Sequence, residues 1–239
     1  MNKNTPSPIT NAIIGDGNVA RHFAKYLELS GIPYKQWSRK KTPHLSPSIY
    51  FQECQNIFLL IKDDAIQNFV ADHPLLKEKN LFHFSGSLYL KGIPSLHPLM
   101  TFSGSTYTLE RYKSIPFIHE KGKKPLTDIL PQLSNPCFAI DPVQKSLYHS
   151  LLVLSGNGSV LLWQKAMADF ATKLNLSPEL LYPYMHATFD NLVQQPELAF
   201  TGPLARQDQE TIKRNIDALQ GDIFQNVYKA LATCVGGIH

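Results

Sequence analysis

The sequence predicts an α/β fold in which a mostly parallel sheet is followed by an all-helical C-terminal domain. The first 140 residues alternate short apolar runs with helix-compatible stretches, a pattern typical of parallel sheets covered by helices on both faces. After Asp141-Pro142, apolar residues recur at helical spacing without further strand patterns. We therefore expect two domains, residues 1–140 and residues 141–239.

Short apolar runs predict the strands, and stretches with one apolar helical face predict the helices. The predicted strands cover residues 11–14, 34–37, 56–61, 81–84, 115–118 and 137–140. The predicted helices cover residues 18–30, 63–70, 125–133, 143–174 and 178–195, with a last helical region from residue 208 onward.

Composition limits the kind of protein. With 43% apolar residues, the chain can form a packed core. The net charge of +4, from 23 basic and 19 acidic residues, is too balanced to favour nucleic acid as the main partner. The three cysteines lie far apart and lack the spacing of metal ligands, so they predict neither a disulfide framework nor a zinc site and fit a reducing cytoplasm. The polar residues 1–8 predict a disordered lead-in, and no apolar run reaches the roughly 18 residues that a membrane helix needs.

A glycine-rich turn, GDGNVA at residues 15–20, joins the first predicted strand to the first predicted helix. In Rossmann-type nucleotide sites, the first glycine permits a tight turn, the second lets the backbone approach a pyrophosphate, and a third small residue, here Ala20, lets helix and strand pack closely. The helix N-terminus then offers free N–H groups to the phosphates. A glycine-punctuated loop without a ligand is the alternative. The predicted cofactor contacts in this turn are Gly15, Asp16, Gly17, Asn18 and Val19.

The end of the second predicted strand indicates which nicotinamide cofactor is used. A site for NAD usually carries an acidic residue about 20 residues after the glycines, which binds the ribose 2′-hydroxyl. Here the strand ends in Ser38, Arg39 and Lys40 without a carboxylate, and a hydroxyl with several cations suits a 2′-phosphate. The sequence therefore predicts NADP, with Ser38 and Arg39 as ligands. A solvated basic loop is the alternative.

Five further segments share a pattern with a known group of proteins. They are NIFLLIKDDAI (56–66), LFHFSGSL (81–88), SLHPLMTF (95–102), LYHSLLVLSGNG (147–158) and LAFTGPLARQD (198–208). With the glycine turn, they resemble bacterial Rossmann-like proteins that carry a C-terminal helical domain of unknown function. Those proteins are distant relatives of pyrroline-5-carboxylate reductase and the 6-phosphogluconate dehydrogenase-like superfamily. The resemblance implies an NADP-binding domain, a C-terminal domain that forms a homodimer, and a substrate cleft between the domains, but no particular substrate.

One position departs from the related β-hydroxyacid dehydrogenases. These enzymes carry a catalytic lysine four positions after the second glycine of a glycine-x-glycine segment. In the corresponding segment, which begins at Gly156, that position is Leu162. The resemblance therefore does not extend to lysine-assisted oxidation of a hydroxyacid.

Loops after the predicted strands carry a first group of candidate residues, because ligands bind at the carboxyl ends of strands in open α/β sheets. Ser85 is a candidate ligand of the nicotinamide half of the cofactor, and Ser87 and Thr101 are candidate substrate ligands. Ordinary turn hydrogen bonds are the alternative for the serines. His97 is a candidate acid or orienting group, with a structural histidine as its alternative. The Asp63-Asp64 pair is predicted to cap the helix that follows.

The predicted helix over residues 143–174 carries a second group. His149, Gly156 and Asn157 lie seven and eight residues apart, so they share roughly one side of a helix. His149 is the candidate general acid and Asn157 the candidate substrate anchor, with a core or interface histidine as the alternative for His149. Glycine within a helix predicts close approach of a ligand or another helix. Further along, Arg206 is a candidate ligand of a substrate carboxylate and Asp208 a predicted helix cap.

Together these features predict an NADP-dependent oxidoreductase that reduces a small ketone or imine by hydride transfer in a cleft between the two domains. The main alternative is a non-catalytic NADP-binding or interaction protein. A third is an enzyme that uses a flavin-like hydride carrier in place of nicotinamide.

Overall fold

The computed structural model describes residues 10–235, and the lead-in predicted for residues 1–8 lies outside them. Four parallel strands form the first sheet: β1 (Asn11–Ile14), β2 (Tyr34–Trp37), β3 (Asn56–Leu59) and β4 (Asn80–His83). Their order across the sheet is β2-β1-β3-β4. Each pairing is in register along the whole strand, with Ile13 opposite Gln36 on one side and Phe58 on the other.

Three further strands form a second sheet: β5 (Leu96–Pro98), β6 (Phe117–Glu120) and β7 (Cys137–Ile140). β6 lies in the middle, antiparallel to β5 and parallel to β7. A parallel bridge between His83 and Ser95 joins the two sheets. All six predicted strands are therefore confirmed within two residues of their predicted bounds. β5 is not among them, because three residues are too few for a periodic pattern.

The chain divides into two compact units, residues 1–159 (unit 1) and residues 160–239 (unit 2). The division lies inside the helical region, whereas the sequence predicts a boundary after residue 140, at the end of the last strand. Five helices belong to the α/β part of unit 1: α1 (Asn18–Leu29), α2 (Pro47–Tyr50), α3 (Asp63–Asp72), α4 (Leu109–Lys113) and α5 (Leu126–Ile129).

Side chains of β1 alternate between two apolar clusters, one on each face of the first sheet. Ile13 is fully buried in a cluster that contains Leu27 of α1. Ile14 is fully buried in a second cluster that contains Ile66 of α3. Helices therefore cover both faces of the sheet, and this arrangement explains why all four residues of β1 are buried.

The chain after β7 is helical, as the sequence predicts. The helix predicted over residues 143–174 consists of α6 (Lys145–Leu152), a π turn (Val153–Asn157) and α7 (Gly158–Thr172). A π turn inserts one residue into the helical hydrogen-bond ladder, and such insertions are frequent at functional sites. The remaining helices are α8 (Tyr182–Gln194), α9 (Gly202–Ala205), α10 (Gln209–Ala218) and α11 (Phe224–Cys234).

Unit 2 shows the predicted cap and an ion-pair cluster. Asp208 precedes α10 and accepts a hydrogen bond from the Thr211 N–H at 3.1 Å, so the predicted cap is confirmed. Lys165 of α7 pairs with Asp222 at 2.7 Å, which ties α7 to the loop before α11. Within the part of the chain that the structure describes, no helix is long and apolar enough to cross a membrane.

Candidate functional site

The glycine turn lies at the carboxyl end of β1, where the strand order of the first sheet reverses. From β1 the chain continues to β2 on one side, and then crosses to β3 and β4 on the other side. In open α/β sheets, ligands bind outside the carboxyl ends of the strands at such a reversal. The topology therefore assigns the crevice beside the turn as the candidate site.

Gly15 is required at its position by the backbone. Its φ of +128° is a conformation that side-chain-bearing residues rarely adopt, and an added Cβ would lie 2.2 Å from the Leu60 carbonyl oxygen. The Gly15 N–H donates to the Trp37 carbonyl at 2.9 Å, and its own carbonyl accepts from the Gln36 amide at 2.8 Å. The turn is thereby fixed between the end of β2 and the residue after β3.

Gly17 leaves open space at the start of α1. An added Cβ would meet no described atom within 4 Å, and no described side chain caps the helix. The first N–H groups of α1 are thus available to an anionic ligand. The neighbouring side chains are engaged within the protein, since Asn18 donates to the Phe102 carbonyl at 3.1 Å and Val19 lines a small apolar pocket with Pro98.

The end of β2 differs from the sequence-based expectation in one respect. Ser38 is buried, accepts a hydrogen bond from the Lys41 N–H at 3.1 Å and donates to the Asp16 carboxylate at 3.2 Å. The expectation that no carboxylate is available here is wrong, because Asp16 reaches the end of β2 from the neighbouring turn. Arg39 is exposed beside this pair.

Ser85 follows β4 and makes the hydrogen bonds of a turn residue. Its hydroxyl donates to the Asp63 carboxylate and accepts from the Leu88 N–H at 3.0 Å. Its own N–H donates to Nδ1 of His83 at 3.2 Å. The prediction that Asp63 caps α3 is wrong, because Lys62 occupies the cap position without a side-chain bond and Asp63 binds Ser85 instead.

Two predicted catalytic histidines meet above Gly86. The rings of His97, on β5, and His149, on α6, have centroids 6.0 Å apart. A Cβ added at Gly86 would lie 2.6 Å from Cδ2 of His149 and 3.0 Å from Nε2 of His97. Only glycine therefore lets both rings approach the loop after β4. Nδ1 of His97 is 2.7 Å from the Tyr148 hydroxyl.

A buried ion pair lies next to the two histidines. Lys145 of α6 is 2% exposed and its ammonium group is 3.0 Å from Oε1 of Glu120, at the end of β6. The same ammonium group donates to the Ser95 hydroxyl at 2.5 Å. The second carboxylate oxygen of Glu120 and Nε2 of His83 are buried without a hydrogen-bond partner among the described residues.

Burial and neighbouring charge shift the pKa values of this cluster. Burial, reinforced by the charges of His149 and Lys145, lowers the pKa of His97 to about 4. Burial, with Lys145 and His97 as further causes, lowers the pKa of His83 to about 3. Burial raises the pKa of the Tyr148 hydroxyl to about 12. Burial also lowers the pKa of Lys145, against the opposing effect of Glu120.

Sequence reasoning missed Lys145, Tyr148 and Glu120, although a signal for them was present. Lys145, Tyr148 and His149 lie at positions i, i+3 and i+4 of one helix, which places them on one face. Glu120 ends a strand, and carboxyl ends of strands are where sites form in open α/β sheets. His83 likewise ends its strand, β4, but it follows Leu81 and Phe82 and precedes Phe84, and this apolar surrounding indicates a core position instead.

Other predicted residues are not engaged in this cluster. An added Cβ at Gly156 would meet no described atom within 4 Å, so no other helix of the described chain approaches it, and the close approach of a ligand or another helix stays a prediction. Thr101 is exposed and its carbonyl accepts from the Tyr107 hydroxyl. Ser87 is half-buried, Asn157 is exposed in the π turn, and Arg206 follows α9 in unit 2.

The π turn nevertheless preserves the predicted relation between His149 and Asn157. Because one residue is inserted into the helical ladder, Asn157 takes the place that residue 156 would occupy in a regular helix. That place is seven positions, or about two turns, after His149 and on the same face. The two candidates therefore remain on one side of the helix.

The chain was compared with protein families and with curated proteins, and one family model matches its C-terminal half. A family model described as a domain of unknown function, DUF2520, matches residues 117–234. No curated protein matches the chain. The match to a domain of unknown function agrees with the C-terminal part of the resemblance drawn from the sequence.

Solved structures match almost the whole chain. A candidate NADP oxidoreductase from Bacteroides fragilis is 22% identical, with a TM-score of 0.75 over 98% of this chain and 100% of the other. A Thermotoga maritima protein is 23% identical, with a TM-score of 0.66 over 95% of this chain and 97% of the other. An imine reductase from Myxococcus stipitatus, solved with NADP⁺, is 14% identical, with a TM-score of 0.65 over 95% of this chain and 93% of the other. These similarities show the fold: an N-terminal Rossmann-like part followed by a helical part.

Proposed function

We propose that this protein is an NADP-dependent oxidoreductase that reduces a small ketone or imine. The observation that carries the proposal is the meeting of His97 and His149 above Gly86, on the loop that follows β4. Two ionisable side chains that converge on the loop after a strand of the first sheet supply groups for acid–base chemistry at the edge where ligands bind in open α/β sheets. The imine reductase with a similar fold supports the same class of reaction.

The glycine turn fits the pyrophosphate of a dinucleotide. Gly15 fills a position that no Cβ can occupy, and Gly17 leaves open space over the first N–H groups of α1. These N–H groups would bind the phosphates, Ser38 and Arg39 would bind the 2′-phosphate, and Ser85 would lie near the nicotinamide ribose. NADPH, when bound, would supply the hydride.

We propose that the remaining candidate residues donate the proton and bind the substrate. His149 is proposed as the proton donor, because it is half-buried and lies on the same helical face as Asn157, the proposed substrate anchor. The substrate carbon gains a hydride and its oxygen or nitrogen gains a proton, so that C=O becomes CH–OH or C=N becomes CH–NH. His149 regains its proton from water. Ser87, Thr101 and Arg206 are retained as proposed substrate ligands.

We also propose that the protein forms a homodimer. Apolar side chains at positions i, i+4, i+8 and i+11, from the turn before α6 to the π turn, form a stripe on the side of this helical segment that faces away from Lys145. The stripe is largely exposed: Val143 85%, Leu147 62%, Leu151 57% and Leu154 75%. A contiguous apolar stripe of this kind marks an interaction surface, and a second copy of the chain is the occupant that the sequence resemblance implies. We also keep, as a proposal from the sequence resemblance, the distant relation to pyrroline-5-carboxylate reductase.

Fluorescence titration of the purified protein with NADPH and with NADH tests the cofactor. We expect NADPH to bind at least about tenfold more tightly, a difference of about 1.4 kcal/mol, and Arg39→Ala to remove most of this preference without weakening NADH. Arg214→Ala, on the exposed face of α10, is the matched control. Tighter binding of NADH would contradict the assignment of Ser38 and Arg39.

Turnover is tested by NADPH oxidation with a panel of small ketones and cyclic imines. Tight NADPH binding without turnover on any member would favour the alternative, a non-catalytic NADP-binding protein. Turnover that survives both His149→Ala and Asn157→Ala would contradict the proposed roles of these residues.

A further inference from the structure

We propose that His97 works as a neutral hydrogen-bond donor to the substrate, through Nε2, and that Tyr148 is a positioning residue that holds it in this state. The inference deepens the proposed reductase function and rests on it for the identity of the ligand. It decides between the two roles that the sequence leaves open for His97, an acid or an orienting group, and keeps His149 as the acid.

Hydrogen-bond geometry selects the tautomer of His97. Nδ1 lies 2.7 Å from the Tyr148 hydroxyl, so one of these two groups donates to the other. Among residues 10–235, His97 is the one hydrogen-bond partner found for that hydroxyl, and a half-buried phenol that did not donate would leave its proton without an acceptor. Tyr148 therefore donates to Nδ1, and the proton of the neutral ring lies on Nε2.

Nε2 of His97 lies against Gly86, beside the ring of His149. It lies 3.0 Å from the place that a Gly86 Cβ would occupy. No hydrogen bond to Nε2 is found within the described chain, and unlike Nε2 of His83 this atom is not sealed from solvent. An N–H group that has no partner in the protein and is not sealed from solvent is available to the carbonyl or imine of a bound ligand.

The groups around His97 disfavour a second proton on the ring. His149 and Lys145 face it from α6, and positive charge on these groups repels a second proton on the ring. His83, which faces it from β4, offers no negative charge that would stabilise one. Glu120, on β6, is paired with Lys145, and Asp63, on α3, binds Ser85. The carboxylates nearby are therefore occupied by other partners, and burial and the neighbouring cations together hold the pKa of His97 at about 4.

A neutral imidazole in this position polarises a substrate without losing its own proton. Neutral histidines act in this way where the environment lowers their pKa. His149 is half-buried and 6.0 Å away, so it supplies the proton while His97 fixes the orientation of the oxygen or nitrogen that receives it.

Nuclear magnetic resonance of the full chain with ¹⁵N-labelled histidine tests the state of the ring without any ligand. The chain has nine histidines, so His97→Gln identifies the His97 signals by their loss. We expect the His97 ring to stay neutral from pH 5 to pH 8, since a pKa of about 4 leaves it deprotonated throughout, with the proton on Nε2. Tyr148→Phe should convert it to a mixture of tautomers. Titration within this range, or a proton on Nδ1, would overturn the proposal.

Kinetics with two substitutions test the role. His97→Gln keeps an N–H donor that cannot act as an acid, so it should retain kcat within about tenfold, whereas His97→Leu should lose about 100-fold or more. Equal losses would identify His97 as a proton donor and overturn the inference. NADPH binding should be unchanged in both variants. If the wild-type protein reduces no ketone or imine, the proposed function fails, and the resonance experiment still decides the state of the ring.

Discussion

Asp16 changes how the cofactor end of the site is interpreted. Its carboxylate accepts the hydrogen of the Ser38 hydroxyl at 3.2 Å, and the hydroxyl oxygen of Ser38 accepts from the Lys41 N–H. Ser38 therefore has no free hydrogen for a 2′-phosphate while Asp16 holds it. Asp16 also brings a negative charge toward the place where that phosphate would bind, so this carboxylate opposes the preference for NADP.

Replacing Asp16 by asparagine should strengthen NADPH binding. The substitution removes a repelling charge and weakens the competition for the Ser38 hydroxyl, so we expect the Kd for NADPH to fall about three- to tenfold. Binding of NADH should not improve. Fluorescence titration measures both values, with Asp128→Asn, an exposed carboxylate of α5, as the control. Weaker NADPH binding in Asp16→Asn would mean that the carboxylate orients Ser38 for the cofactor instead of opposing it.

Single residues could be predicted where one local rule decided their position. Gly15 is such a case, because a strand-to-helix turn with positive φ demands glycine. Gly86 is the opposite case: its lack of a Cβ is needed for His97 and His149, which approach from sequence positions far away. Gly156 is a candidate because it lies within a helix, but a Cβ added there would meet no atom of the described chain within 4 Å. Long-range contacts of this kind leave no local trace in the sequence.

At the scale of elements, α6 presents a polar side and an apolar side. Lys145, Tyr148 and His149 lie on the side that contacts β5 and β6, as the bonds to Ser95, Glu120 and His97 show. The exposed stripe lies on the other side. This arrangement accounts for the weak sequence signal, since a helix with a buried lysine and exposed leucines reverses the usual pattern.

The Lys145–Glu120 pair should be strongly coupled to the stability of unit 1. Lys145→Met leaves the Glu120 carboxylate buried without its partner, which should lower the free energy of unfolding by about 3–5 kcal/mol. The double variant Lys145→Met with Glu120→Leu removes both charges and should recover most of this loss. Urea unfolding measures both, and Lys25→Met, which breaks an exposed pair with Glu28, should cost less than about 1 kcal/mol. An additive double variant would show that the pair is not coupled.

The elements themselves were predicted to different degrees. Strands such as β1 and β3 are apolar runs buried on both faces, and this environment leaves a clear pattern in the sequence. The π turn at Val153–Asn157 leaves none, because its apolar spacing does not differ from that of an α-helix over five residues. β5 is defined by pairing with β6 and not by its own composition.

At the scale of the whole molecule, the alternation of strands and helices over the first 140 residues and the helical pattern afterwards were sufficient to predict the fold class. The candidate site was predictable only in its two histidines and its glycine turn. The ion pair of Lys145 with Glu120 and the hydrogen bond of Tyr148 with His97 join strands to a helix that they meet only in the folded chain, and sequence order does not encode which groups pair.

The apolar stripe on α6 provides the last prediction, on the assembly of the molecule. If a second copy covers the stripe, introducing a charge there places an unpaired carboxylate in an apolar interface, which costs several kcal/mol and should dissociate the dimer. We expect Leu151→Glu to shift the mass measured by light scattering after size-exclusion chromatography from that of two chains to that of one. Leu75→Glu is the matched control, because Leu75 is 58% exposed and Leu151 57% exposed, and Leu75 lies outside the stripe. A wild-type protein that is monomeric at all concentrations, or a Leu151→Glu variant that stays dimeric, would show that the stripe serves another partner.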